Sequence, residues 1–226
     1  MAMQESLQQV YQRLRRAAAR AHVAWETITL VAVTKSVPGS AIEQAWKLGV
    51  RHFGENRVQE ALPKISSLPR EITWHFLGHL QTNKVRQVVE HFQFVQSLDR
   101  MKLARALQKE GESRGKMIEV LLQVNIGDER SKSGFHPDEV EEALVEISAF
   151  SHLRVQGLMA IPPYFPDPEE VRPYFQKMNG FFREIRIPNV QMNYLSMGMT
   201  HDFEIAVEEG ANMIRLGTAL FGERTD

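Results

Sequence analysis

Two kinds of apolar pattern alternate along this chain. Short β-branched and aromatic runs read as buried strands, and each is followed by a stretch whose apolar residues recur at three- and four-residue steps, the spacing of an amphipathic helix. "ITLVAVTK" leads into "SAIEQAWKLG", with Ser40 as candidate N-cap and Gly49 placed to stop the helix. "VRHFGEN" precedes "RVQEALPKISS", "ITWHFLG" precedes "TNKVRQVVEH", "FQFVQSLD" precedes "RMKLARALQKEGES", and "MIEVLLQVNIG" precedes "PDEVEEALVEISAF". "LRVQGLMAI" runs into a proline-rich loop near Pro162 to Pro168 and then "YFQKMNGFFREI". Finally "VQMNYLSMGM" precedes "HDFEIAVEEG", and "NMIRLG" precedes "TALFG".

These are eight strand-and-helix units in 226 residues. Parallel strands need crossover connections and helices supply them, so the pattern predicts a single α/β domain, residues 1–226, folded as a (β/α)8 TIM barrel. An open doubly wound sheet is the competitor, and no "GxGxxG" follows any strand to favour it. Ahead of the first strand, Met3, Leu7, Val10, Leu14, Ala17 and Ala21 mark an extra N-terminal helix. Its arginines invite a transit-peptide reading, but the apolar stripe leads straight into the first strand and predicts packed structure with a solvated basic face.

Composition narrows the function classes. Hydrophobic residues make up 43% and charged residues 24%, the balance of an ordinary globular protein. With 27 Lys and Arg against 28 Asp and Glu, no global field attracts nucleic acid or an anionic membrane. The absence of cysteine excludes disulfides, thiolate metal sites and a cysteine nucleophile, and suits the cytoplasm. No apolar run approaches the roughly 20 residues of a membrane span, and no signal-peptide core is present. No large exposed apolar segment stands out, which leans toward a monomer.

The chemistry of a TIM barrel lies at the C-terminal ends of its strands. Lys35 stands there, sharing strand parity with Val31 and Val33. Spacing alone leaves open whether it enters the barrel mouth or reaches solvent. Lysines buried at such places serve as Schiff-base nucleophiles, because desolvation and nearby cations favour the free amine. The loops after strands seven and eight are the usual phosphate site of this fold, and Ser196, Gly198, Gly217 and Thr218 have the chemistry for it, although each is also an ordinary turn or cap residue. Arg215, in the last strand, needs an acceptor, either a structural carboxylate or a ligand.

The pair His75 and His79 in "HFLGH" suggests a metal, but the segment reads as strand into loop, where that spacing does not align two ligands; no metal site is expected. The acids of "PDEVEEALVEIS" and the basic residues of "TNKVRQ" read as solvated helix faces. No Ser-His-Asp constellation or paired-carboxylate motif can be picked out.

With those features in place, the sequence resembles the YggS/PROSC family of pyridoxal 5'-phosphate (PLP) homeostasis proteins, which are similar to the barrel domain of alanine racemase. The likeness covers nearly the whole chain, through "LVAVTKSVP", "FGENRVQE", "WHFLGHLQTNK", "LLQVNIGDERSKSGF", "GLMAIPP" and "LSMGMTHDFEIAVEEGANMIRLGTALFG". It implies a fold-type III PLP barrel in which Lys35 forms the internal aldimine and Ser196, with Gly217 and Thr218, holds the phosphate. Asn56 lies near the ring, Arg215 faces the pyridine nitrogen, and Met197, Gly198, His79, Asn125 and Met159 wall the pocket. An arginine on that nitrogen makes the ring a poor electron sink. Alanine racemases draw a second catalytic group, a tyrosine, from a further C-terminal domain, for which no room is expected after Asp226. The resemblance thus implies a carrier of PLP that supplies client enzymes, without robust catalysis. A small PLP-dependent amino-acid racemase is the alternative, and a Schiff-base barrel acting on sugar phosphates fits the bottom-up features but not the motifs.

Overall fold

Parallel strands carry apolar residues on both faces when helices cover them outside and a packed interior fills them inside. In a computed structural model, which describes residues 3–129 and 132–222, eight such strands close into one barrel in the order β1 to β8, every neighbouring pair parallel. The first half is built from β1 (Thr29–Val33), α2 (Gly39–Lys47), β2 (His52–Glu55), α3 (Val58–Ser67), β3 (Thr73–Phe76), α4 (Val85–His91) and β4 (Phe94–Leu98). The second half is α5 (Met101–Arg114), β5 (Ile118–Val124), α6 (Val140–Ser148), β6 (Leu153–Ala160), α7 (Arg172–Glu184), β7 (Val190–Ser196), α8 (Phe203–Glu208), β8 (Met213–Leu216) and α9 (Thr218–Phe221). The predicted barrel is therefore present; the domain expectation of 1–226 extends past the described residues at both ends.

The extra helix α1 (Met3–Arg20) buries Leu7, Val10, Leu14, Ala17 and Ala18. Its basic face is not simply solvated as the pattern predicts. Arg13 Nη2 donates to Glu204 Oε2 at 2.7 Å and Arg20 Nε to Glu208 Oε1 at 2.5 Å, so two arginines fasten α1 to α8. Ser40 is also not the cap of α2. Pro38 stands outside with φ −69° and its carbonyl accepts from Ala41 and Ile42, so the helix already begins at Gly39. Pro38 thus holds the cap position, and Ser40, two residues further on and already in the first turn, falls too late to cap. Gly49, with φ +101°, ends the turn as expected.

The interior divides into two layers that follow strand parity. Leu30, Ala32, Phe53, Trp74, Leu122, Leu158, Ile214 and Leu216 belong to the large core between sheet and helices. Val31, Leu121, Met159 and Met213 form a small separate cluster inside the barrel, flanked by Ile161 and Tyr194. Such a small apolar filling leaves much of the barrel axis to polar side chains. Among the described residues no helix is long and apolar enough to cross a membrane.

Candidate functional site

The inner cluster fixes which way Lys35 looks. Val31 faces the axis, and Lys35 lies four residues on with the same parity, so the spacing ambiguity resolves toward the barrel mouth. The side chain is half-buried, and Nζ makes no hydrogen bond or ion pair with any described residue. Its neighbour Thr34 turns the other way, where Thr34 Oγ1 donates to Glu55 Oε1 at 2.6 Å and Lys64 Nζ donates to Glu55 Oε1 and Thr34 O, both at 2.7 Å. That buried ionic knot ties the ends of β1 and β2 to α3 directly behind Lys35.

Arg215 enters from the adjacent strand, in register with Val31 and therefore on the same inner side. Nη1 donates to Ser196 Oγ at 2.7 Å and Nη2 to Ala160 O at 2.9 Å, and the residue is 4% exposed. Among the described residues it forms no ion pair within 4 Å. Burial draws its guanidinium down to about 10, against the opposing field of Asp202, which leaves it charged at neutral pH. Asp202 itself is raised by burial, and its Oδ1 accepts from Met199 N at 2.6 Å, pinning the loop after β7.

That loop turns on Gly198. Its φ is +92°, and a Cβ there would meet Ala206 Cβ at 2.6 Å and Phe203 Cα at 2.9 Å, so a side chain is barred by both conformation and space. The tight turn presses the β7 loop onto α8 and brings Thr200 against the end of β8. Thr218 Oγ1 donates to Thr200 Oγ1 at 3.2 Å, and Ala219 N approaches the same hydroxyl at 3.4 Å. Gly198, Thr200, Gly217 and Thr218 are thus gathered into one small polar corner. Thr200 escaped the sequence reading because it lies beyond the strand end; its position two residues before the Asp202 cap was the available signal. Ser196 does not join this corner. Its Oγ is fully buried inside the barrel, accepting from Arg215 and donating to Gln96 Oε1 at 2.7 Å. Gln96 was also missed, although it follows the inward parity of Phe94.

The remaining predicted residues separate by depth. Asn56 is exposed after β2, and Gly78 packs so closely on its backbone that a Cβ would lie 2.2 Å from Asn56 O. His79 is exposed above β3 with Nδ1 2.6 Å from Asp99 Oδ2, whereas His75 is fully buried within the barrel, so the two histidines point to different places. Asn125 holds its own loop, donating from Nδ2 to Glu129 O at 2.9 Å. Met159 belongs to the inner cluster; the side chain of Met197 lies in the outer core, leaving only its backbone beside the mouth.

Comparison with known proteins adds a lineage to this geometry. The family model of the alanine racemase N-terminal domain matches residues 6–225. A pyridoxal phosphate homeostasis protein of Aquifex aeolicus is 42% identical over 222 residues, covering 97% of each chain, and one of Escherichia coli K12 is 40% identical over 225 residues, covering 97% of this chain and 95% of that one. Among solved structures, PipY of Synechococcus elongatus with PLP bound is 36% identical and superposes with a TM-score of 0.83 over 98% of this chain and 100% of that one. The alanine racemase of Corynebacterium glutamicum, 17% identical with a TM-score of 0.69 over 95% of this chain and 61% of that one, shares the fold.

Proposed function

The chain belongs to the alanine racemase N-terminal domain family and, within it, to the pyridoxal phosphate homeostasis proteins, and from that membership we propose that it binds PLP at the barrel mouth and carries it rather than turning over an amino acid. One observation carries the reading: two cations on neighbouring strands, Lys35 and Arg215, share the inner side of the barrel, and neither has a carboxylate partner among the described residues. An uncompensated cation in such a place is unfavourable unless a ligand completes it.

The residues present fit PLP. Lys35 offers a primary amine to anchor the aldehyde covalently, and Arg215, with donors only, suits an acceptor nitrogen and keeps it unprotonated. The hydroxyls of Thr200 and Thr218 and the backbone of Gly198 and Gly217 suit a phosphate; Ser196 serves the site from below by holding Arg215. Asn56 and His79 stand at the rim, Asn125 braces the loop after β5, and Met159 floors the mouth. When bound, PLP supplies an electrophilic aldehyde and a conjugated ring that can spread negative charge, a capacity that Arg215 restrains. The relatives matched end to end carry the homeostasis name, which supports a carrier serving PLP-dependent client enzymes; we further propose that it acts as a cytoplasmic monomer formed by one domain.

The test is spectroscopic. Purified protein loaded with PLP should absorb near the visible edge and fix the cofactor on borohydride treatment, and Lys35→Ala should lose both properties. Unchanged absorbance and fixation in that variant would remove the covalent anchor from the reading. Incubation with single-enantiomer amino acids in deuterated water separates carrier from racemase: rapid α-proton exchange with turnover would establish the enzyme.

A further inference from the structure

Arg215 and Ser196 head a longer file of side chains that runs down the barrel axis. Arg215 Nη1 donates to Ser196 Oγ and Ser196 Oγ to Gln96 Oε1, both at 2.7 Å; Gln96 Nε2 lies 2.9 Å from His75 Nδ1, and His75 Nε2 lies 3.0 Å from His52 Nδ1. Strands β8, β7, β4, β3 and β2 supply one residue each. Ser196, Gln96 and His75 are fully buried, so water does not replace a broken link easily.

The direction of this file is set at two points. A guanidinium has donors only, so Ser196 accepts at the top and passes its own proton toward Gln96. Met213 Sδ accepts only, and it lies 3.2 Å from Gln96 Nε2, which places the amide nitrogen on the His75 side and the oxygen on the Ser196 side. His75 Nδ1 is then an acceptor with its proton on Nε2, and His52 Nδ1 accepts in turn. Every hydrogen bond points away from Arg215, and both imidazoles are neutral. Burial lowers both histidines, and His75 is lowered further by the facing His52, which agrees with that state.

Resting on the reading of the mouth as a PLP site, we propose that Gln96 and His75 are positioning residues for Arg215: the one-way chain fixes Ser196 as an acceptor and thereby holds the guanidinium plane that meets the cofactor's ring nitrogen. Ser196 and Ala160 occupy two of the five donors, which leaves three (5 − 2) for a ligand.

Long-range proton–nitrogen NMR on the ligand-free protein reads the chain directly. Wild type should show His52 and His75 both as the Nε2–H tautomer. Gln96→Glu, whose ionised carboxylate can only accept, should reverse both to Nδ1–H. A wild-type His75 protonated on Nδ1, or a Gln96→Glu protein with unaltered tautomers, overturns the directed chain. In PLP titrations Gln96→Leu should bind about tenfold more weakly, the worth of one lost neutral hydrogen bond at its upper end. His75→Gln, which keeps an acceptor facing Gln96 Nε2, should bind PLP close to wild type at matched thermal stability. Gln96→Asn serves in place of Gln96→Leu if the latter does not fold. PLP affinity unchanged in these Gln96 variants refutes the positioning role, whereas a wild-type protein that binds no PLP refutes the proposed function and leaves the tautomer result to be judged by itself.

Discussion

Lys64 and Arg215 are both cations drawn into the protein near the same barrel mouth, yet their surroundings are opposite. Lys64 lies on the outer side of the strands and is closed off by Glu55 and the carbonyl of Thr34, at 2.7 Å each. Arg215 lies on the inner side and is met by a hydroxyl and a carbonyl, with no carboxylate. The first arrangement pairs its charges through Glu55 Oε1 and serves the fold. The second stays open to a ligand, its direct contacts being neutral dipoles with the charge of Asp202 acting only from beyond ion-pair distance, which is the signature expected of a binding residue rather than a structural one.

The largest effect that separates the two should come from Glu55→Ala. Removing one partner of a buried pair leaves Lys64 uncompensated, and urea denaturation should show a loss of about 3–5 kcal/mol. Replacing both members, Glu55→Met with Lys64→Leu, should recover most of it, because a fitted apolar pair avoids the desolvation cost. A double variant as unstable as the single one would mean that the pair is more than a self-contained tie.

Arg215→Met should behave differently. It relieves a desolvated charge while leaving Ser196 and Ala160 O short of a donor, so the net loss of stability should be about 1–2 kcal/mol, less than for Glu55→Ala. The same variant should lose most PLP affinity in the absorbance titration. If Arg215→Met proved the more destabilising of the two and kept its affinity, the contrast between structural and ligand-facing cation would collapse.

The sequence made the outer side of this contrast easier to read than the inner one. Continuous apolar runs broken by amphipathic stretches displayed the barrel, because strands covered on both faces have no polar alternation to hide them. Strand ends then displayed Lys35, Gly198, Arg215, Gly217 and Thr218, since position in the fold selects them. What spacing did not display is which neighbours share a hydrogen bond after the sheet closes. Ser196 looked like a phosphate ligand because it ends β7, but its hydroxyl turns downward; Thr200 looked like loop, but the Gly198 turn carries it to β8. Gln96 and His52 are polar residues in short strands, and only closure of five strands onto one axis brings them into a single file.

The smallest expected effect belongs to that file, and it too distinguishes the two cations. The knot around Lys64 contains no histidine, whereas the chain below Arg215 ends in two. His75 is held well below its ordinary value, by burial first and by the facing His52 second. A base depressed by folding binds fewer protons in the native state than in the unfolded one, so its stabilising contribution is present above the unfolded value, about 6.5, and is lost as pH falls below it. While His75 stays neutral in the fold, the loss should be about 1.4 kcal/mol per pH unit, with a smaller share from His52, which burial lowers as well. Denaturation midpoints measured from pH 7.5 down to 6 should therefore decline for the wild type. The His75→Gln protein, which keeps a hydrogen-bonding side chain that does not titrate, should decline less steeply over the same range. Equal slopes in the two proteins would show that the axis of the barrel tolerates an imidazolium, and that the neutral, one-way file beneath Arg215 is not what holds it.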